Sequence, residues 1–231
     1  MFGPPVPNVV YTLHNYAAPG FINGESYPGF TRGEYFDKAI LRDQLIRTCQ
    51  YMLENNTPIW VGEFGPVYTG TPEKDAMRYA VLEDQLSFYK ELGASWCLWT
   101  YKDLGLQGLV SLLPESKWIR KIQPILEKKA ILGVDSWGGS DKNVRHILEP
   151  IEQTFAEFFP DYKPFPFDAK WQINRTVRHI LLAEPLIEDF FPLLQGLTFD
   201  EIDELMASFQ YKNCSPRQEL IQIIKKEHQI G

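Results

Sequence analysis

The sequence predicts an α/β fold with a parallel sheet, followed by an all-helical stretch. Three observations predict it. Strand-like apolar runs near residues 9–16, 59–64 and 95–100 alternate with amphipathic helical segments three times over, the pattern of βαβ units. The middle run, PIWVGEFGPV at residues 58–67, keeps Ile59, Trp60, Val61 and Phe64 in one nearly unbroken apolar stretch, which suits a strand covered on both faces. From about Asp141 onward the periodicity is helical to the end.

Taken in order, the first strand run follows the proline-rich GPPVPN and ends in His14, Asn15 and Tyr16. Residues 17–33 hold four glycines and two prolines without a regular period, so they read as a loop, longer than an ordinary connection and therefore a candidate for function. A helix over 33–55 follows from the spacing of Phe36, Ile40, Leu45, Ile46, Cys49, Met52 and Leu53, and Asn55, Asn56 and Pro58 stop it. After the middle strand, Thr71-Pro72 reads as an N-cap with proline at the first helical position. That helix carries Ala76, Tyr79, Ala80, Leu82, Leu86 and Tyr89 up to Gly93.

The third strand, SWCLWT at 95–100, leads through a loop over 101–114 to a helix at 116–129 with Pro124 as a kink. Composition changes near Gly138-Gly139-Ser140, which divides the chain into an α/β domain at 1–137 and a helical extension at 141–231. Helices are expected at 144–159 and 171–194, shortened or kinked by Pro150, Pro185 and Pro192, with a stiff linker at 160–167 between them. Thr198-Phe-Asp-Glu and Ser215-Pro-Arg-Gln both match the capping-box pattern at a helix start.

Composition narrows the function classes. The 231 residues are 44% hydrophobic, with a formal net charge of −7 and a pI near 5.2. Nucleic acids and anionic membranes reward clustered Lys and Arg, so neither is expected as a partner. No run approaches the ~18 to 20 apolar residues of a membrane span. The start has no basic n-region or apolar h-region, so no leader or anchor is expected in this stretch. Cys49, Cys97 and Cys214 are odd in number and lack CxxC or Cys/His spacing, which points to reduced thiols, at least partly buried, and to neither a disulfide framework nor a zinc site.

The candidate chemistry lies at the strand ends, where parallel α/β folds bind ligands. His14 and Tyr16 end the first strand, Glu63 the second, and Trp99 with Tyr101, Lys102 and Asp103 the third. A carboxylate, an imidazole, a phenol and an indole on one face can hold a sugar, the indole stacking on the C–H side of a pyranose. Glu63 can then attack an anomeric carbon. Glu63 is also open to a plainer reading, as a cap of the next helix or a partner of a rim lysine; Lys102 with Asp103 suits a rim ion pair, and Trp60 and Trp96 alternate away from Trp99 into the core.

His14-Asn15-Tyr16, the stretch Ile59-Trp60-Val61-Gly62-Glu63-Phe64-Gly65 and the strand from Trp96 to Trp99 resemble the last three strands of a cellulase-type barrel, glycoside hydrolase family 5 of clan A. The resemblance spans roughly residues 8–129 and implies about three βα units from the C-terminal part of a (β/α)8 TIM barrel, with the helical part similar to an extension carried by some fungal members. It implies a retaining β-glycosidase acting on β-glucan or another β-glycoside, with no cofactor and no metal. Glu63 would be the nucleophile, Tyr16 and His14 its supporting and substrate-binding pair, and Trp99 the platform under the sugar.

Retaining chemistry needs a second carboxyl about 5 to 5.5 Å away as acid and base. In the family this lies in an Asn-Glu pair on strand four, and the sequence before residue 9 has neither that pair nor room for five βα units. Glu25 and Glu34 sit on the long loop in no spacing that marks either as its replacement. The expectation is therefore a C-terminal fragment of a larger enzyme, with little or no hydrolysis by this chain alone and with sheet edges that favour self-association. The alternative is a non-catalytic carbohydrate-binding or interaction protein built on the half barrel.

Overall fold

The computed structural model describes residues 3–21, 24–134, 140–164 and 168–228. In chain order the elements are β1 (Tyr11–Asn15), β2 (Gly29–Thr31), β3 (Glu34–Phe36), α1 (Lys38–Glu54), β4 (Ile59–Phe64), α2 (Pro72–Glu91), β5 (Ser95–Leu98), β6 (Lys102–Asp103), β7 (Val110–Leu112), α3 (Lys117–Leu132), α4 (Arg145–Phe158), α5 (Ala169–Thr176), α6 (Ile187–Leu194), α7 (Phe199–Met206), β8 (Cys214–Pro216) and α8 (Gln218–His228). Residues up to Leu112 together with those from Cys214 onward form one unit, and Leu113–Asn213 form the other. The division thus falls after Leu112 rather than near 137–141, a stretch of which residues 135–139 lie outside the described ones. The last helix goes with the first unit because β8 pairs with β7 and because Leu220 and Ile223 of α8 enter its core.

In the first unit β1, β4 and β5 form a parallel sheet in that order, as the alternating pattern predicts. Leu13, Ile59, Val61 and Phe64 on one face pack against Leu41, Leu45, Cys49 and Met52 of α1 and Val81, Leu82, Leu86 and Tyr89 of α2. Burial of each such side chain contributes about 1.5–3 kcal/mol. The opposite face is uncovered: Thr12, His14, Trp60, Ser95, Cys97 and Trp99 are all exposed. Among the described residues the middle strand is therefore covered on one face only, and Trp60 is not core but 45% exposed, because none of them forms a layer over its side of the three-stranded sheet. Trp96 does turn toward the helices and meets Phe64 edge-on at 5.5 Å between ring centroids. Cys97, on the uncovered face, is an exposed thiol, whereas Cys49 and Cys214 are buried.

Several local expectations are corrected. Residues 17–33 are not without structure: they hold a short 3-10 turn (Ala18–Gly20), and β2 begins within them. The hairpin from β2 to β3 turns through Arg32 and Gly33, whose φ values of 55° and 78° are those of a two-residue primed turn. The helix expected from residue 33 consequently starts at Lys38, where the Asp37 carboxylate accepts from the Ile40 N–H at 2.9 Å. Leu53 points outward, and Leu41 takes a buried place instead. Thr71 makes no side-chain cap for α2; Asp75 gathers the N–H groups of Thr69 and Gly70 at 2.7 and 3.0 Å. Ser215 does not open a helix, since it lies in β8 opposite Ser111, and α8 begins at Gln218.

The second unit is helical. Ser116 caps α3 by accepting from the Ile119 N–H, and Gly133, at a φ of 64°, closes it. The run expected as one helix over 171–194 is divided: α5 passes into a π turn (Val177–Leu181), then a 3-10 turn containing Pro185, then α6. Thr198 forms the expected capping box with Glu201 at the start of α7. Arg178 is buried and donates from Nε to the Gly133 carbonyl at 2.7 Å. The linker expected at 160–167 is exposed over 160–163, and its residues 165–167 lie outside the described ones. No described helix is long and apolar enough to cross a membrane.

One-sided coverage has a measurable consequence. Phe64 is fully buried against Tyr89 and Trp96, so Phe64→Ala should lower unfolding free energy by about 3–5 kcal/mol in urea titrations. Trp60→Ala should change it by less than about 1 kcal/mol, whereas a Trp60 packed in a core would cost as much as Phe64.

Candidate functional site

The site is made by one extra residue in β4. Strand β1 pairs Leu13 with Val61 and then His14 with Glu63, skipping Gly62, and β5 pairs Trp96 with Val61 and Leu98 with Phe64. Strict alternation would send Glu63 to the same side as Val61, among the helices. The bulge resets the alternation, so Phe64 returns to the core and Glu63 stays partly open at the strand end beside His14. Glycine fits closely at position 62, where a Cβ would lie 2.7 Å from Thr12 Oγ1 and 3.3 Å from the Trp60 ring and would force the Thr12 side chain to shift. Gly65 follows at a φ of 139°, and a Cβ there would lie 2.7 Å from the Trp99 carbonyl oxygen.

Two of the predicted partners converge on the carboxylate. Tyr16 donates its hydroxyl to Glu63 Oε2 at 2.9 Å, and His14 Nδ1 lies 3.3 Å from the same oxygen. Among the described residues nothing bonds Oε1. Burial, then the hydrogen bond to Glu63 and its negative charge, push the Tyr16 hydroxyl well above the ordinary tyrosine range, so it remains a donor. Trp99 is brought to the same end of the sheet: its N–H donates to the Phe64 carbonyl at 2.8 Å, and its side chain is 47% exposed.

Residues to which the sequence assigned no role in the site hold this arrangement from beneath. The Asn15 side chain donates to Tyr89 Oη at 2.9 Å, and Gln85 Nε2 donates to the Asn15 carbonyl at 2.9 Å, so α2 fixes the end of β1. The turn after Tyr16 is clamped on two sides, by the Val67 N–H on the Gly20 carbonyl and by the buried Arg78, which donates Nη1 to the Pro19 carbonyl. Burial makes the Arg78 guanidinium easier to deprotonate than an ordinary arginine. Helical spacing marks Gln85 and Tyr89 as lying on the same turn of α2, but nothing in the sequence places that turn under Asn15.

The remaining candidates are placed differently from expectation. Asp103 directs its oxygens to backbone, accepting from the N–H groups of Leu104 and Gln107 at 2.6 Å each, while Lys102 lies over the Tyr101 ring at 5.3 Å. Asp103 is thus a turn-forming carboxylate rather than half of a rim pair. Glu25 accepts from the Arg32 N–H. Glu34 lines an open polar groove of about 620 Å³ with His14, Tyr16, Gln44 and Arg47. A second groove, of about 490 Å³ on α4, is lined by Ile151, Phe155, Phe158 and Phe159 and offers no catalytic group. Among the described residues no group of three or more His, Cys, Asp or Glu could hold a metal ion.

A carboxylate, an imidazole, a phenol and an indole thus stand together at the strand ends of a parallel sheet, the place where such folds commonly bind ligands. Residues 3–105 match the family model described as Cellulase (glycosyl hydrolase family 5), so over that stretch the chain is similar to this family. The chain is also similar to a protein named Beta-xylosidase from Phanerodontia chrysosporium, 30% identical over 229 residues. That alignment covers 94% of this chain and 48% of the relative, so the chain spans about half the length of the curated relative it matches.

The raised Tyr16 sets a pH dependence. A hydroxyl that ionises later folded than unfolded contributes stability fully present below the unfolded value near 10, and this is lost as pH rises toward the folded value. The stability difference between wild type and Tyr16→Phe, measured by denaturant titration, should therefore be constant up to about pH 9.5 and shrink at higher pH.

Proposed function

We propose that this chain carries the nucleophile-bearing part of a retaining β-glycosidase, with Glu63 as nucleophile, Tyr16 and His14 as the pair that holds it, and Trp99 as the platform under the cleaved sugar. The observation that carries this reading is the asymmetry of the Glu63 carboxylate: Oε2 is held by Tyr16 and His14, and among the described residues Oε1 is left open. A nucleophile with one oxygen fixed and the other free is oriented before substrate arrives, which removes orientational entropy from the reaction. Oε1 would form a bond to the anomeric carbon as the glycosidic C–O bond breaks. The departing oxygen needs a proton from a second carboxylic acid, which then takes a proton from the water that releases the sugar.

That second carboxyl is proposed to lie in chain beyond the stretch in hand. The uncovered face bearing Trp60, His14 and Trp99, with the free edges of β1 and β5, would then be the part of a barrel wall on which further βα units close. The name of the relative makes aryl β-xylosides the first substrates to try, beside aryl β-glucosides.

Two measurements test the reading. The isolated chain should give no turnover of either aryl glycoside, and turnover abolished by Glu63→Gln would overturn the proposal that the acid lies elsewhere. A form extended by the preceding coding sequence should be inactivated by a 2-deoxy-2-fluoro β-glycoside, with the label on Glu63 by peptide mass spectrometry. Tyr16→Phe in that form should lower kcat by about 10²-fold. Label on another carboxylate, or saturable glycan binding with neither label nor hydrolysis, would sink the glycosidase reading in favour of a binding module. The uncovered edges should also make the isolated chain self-associate, and a monomeric mass at tens of micromolar by light scattering would remove that expectation.

A further inference from the structure

We propose that Arg217 is a positioning residue for the sugar-binding face: it fastens the loop that leaves β5 at Trp99 to the loop that leaves β4 after Glu63. The proposal rests on the reading of Trp99 as platform for its functional meaning, although its geometry stands apart from that reading. Residues 99–112 are joined to the β4 end by the Tyr68 N–H on the Leu106 carbonyl at 2.7 Å and by Gln107 Nε2 on the Gly65 carbonyl at 3.2 Å. Arg217, more than a hundred residues on, completes the junction. Its Nε donates to the carbonyls of Gln107 and Gly108 at 3.0 Å each, Nη2 donates to the Gly105 carbonyl, and its own N–H donates to the Leu109 carbonyl at 2.9 Å. The guanidinium also lies over the Tyr68 ring, 4.2 Å from its centroid.

One rigid fork therefore holds three carbonyls of the Trp99 loop and stacks on an aromatic ring of the Glu63 loop. The loop is shaped for this contact: Gly108 sits at a φ of 69°, and a Cβ there would lie 2.8 Å from the Val110 carbonyl oxygen. Lysine has the charge but neither the planar fork nor the flat face, so it cannot make this set of contacts. The tether reaches Trp99 through two short steps, Leu109 N–H to the Thr100 carbonyl at 2.8 Å and Val110 N–H to the Tyr101 carbonyl at 3.0 Å. Without the guanidinium, Trp99 would keep its place in sequence and lose the fixed orientation that stacking on a sugar ring requires.

The test uses the full chain and no sugar. The near-ultraviolet circular dichroism contributed by Trp99 is the difference between wild type and Trp99→Phe, and it is compared with the same difference in an Arg217→Lys background. The expected result is a loss of at least about half of the Trp99 signal, with amide exchange at Leu109 and Val110 faster by about tenfold or more and exchange in β1 and α1 changed by less than about twofold. An unchanged Trp99 signal, or a loosening spread evenly over β1 and α1, would overturn the proposal. Should Arg217→Lys fail to fold, wild type alone decides: the amides of Tyr68, Leu109, Val110 and Arg217 should open together as one unit in native-state exchange, and independent opening would refute the tether. Trp99→Phe that binds xylo- or cello-oligosaccharides as well as wild type would remove the platform reading and leave the tether intact.

Discussion

The arrangement at the strand ends depends on a single inserted glycine. A parallel strand offers alternate side chains to opposite faces, and a carboxylate beside an apolar run has only two places to go. Gly62 breaks the count by one, so Val61 and Phe64, three apart, both enter the core while Glu63 stays at the open end of the sheet. The insertion is tolerated because a residue without a side chain fits against Thr12 and Trp60. Burying an ionised carboxylate costs several kcal/mol without compensation, and here the compensation is local, from a phenol and an imidazole one strand away.

The same strands show how far a half-covered sheet can be stabilised. All of the described helical packing on β1, β4 and β5 lies on one side, where Cys49, Val61, Phe64, Leu82 and Tyr89 are essentially inaccessible. On the other side polar and aromatic groups face outward, and these include His14 and Trp99, with Glu63 partly open at the strand end. Coverage and chemistry are thus divided between the two faces. The helix side ties down the end of β1 through Asn15, Gln85 and Tyr89, and the open side carries the candidate groups.

Much of this was legible in the sequence because the signals were local. Alternating strand and helix periods gave the parallel order, and Thr198 with Glu201 gave a cap that the structure contains. His14, Tyr16, Glu63 and Trp99 stand out in sequence by their positions at the ends of apolar runs, and the structure brings the first three within hydrogen-bonding reach. What escaped was non-local or depended on what is missing from the sheet. Trp60 looks like core in any window of sequence, and only the lack of a covering layer exposes it. Arg32-Gly33 is a weak turn signal beside Asn-Gly, so in the sequence the β2–β3 hairpin looks like loop and the helix reads as beginning before Lys38. Ser215-Pro216 fits a helix start equally well, and pairing with β7 across a hundred residues decided otherwise.

That pairing bears on how the chain could have been assembled. Leu112 and Cys214 are partners in adjacent antiparallel strands, so everything between them leaves and re-enters the first unit at one point. A hairpin needs only a two-residue turn to join such ends, and lengthening a loop carries an entropic cost that grows only logarithmically. The helical unit is therefore a guest in a hairpin, removable in principle by grafting a short turn onto Leu112 and Cys214. Its host must wait for the guest to be synthesised before β8 can arrive and complete the edge that β6 and β7 begin.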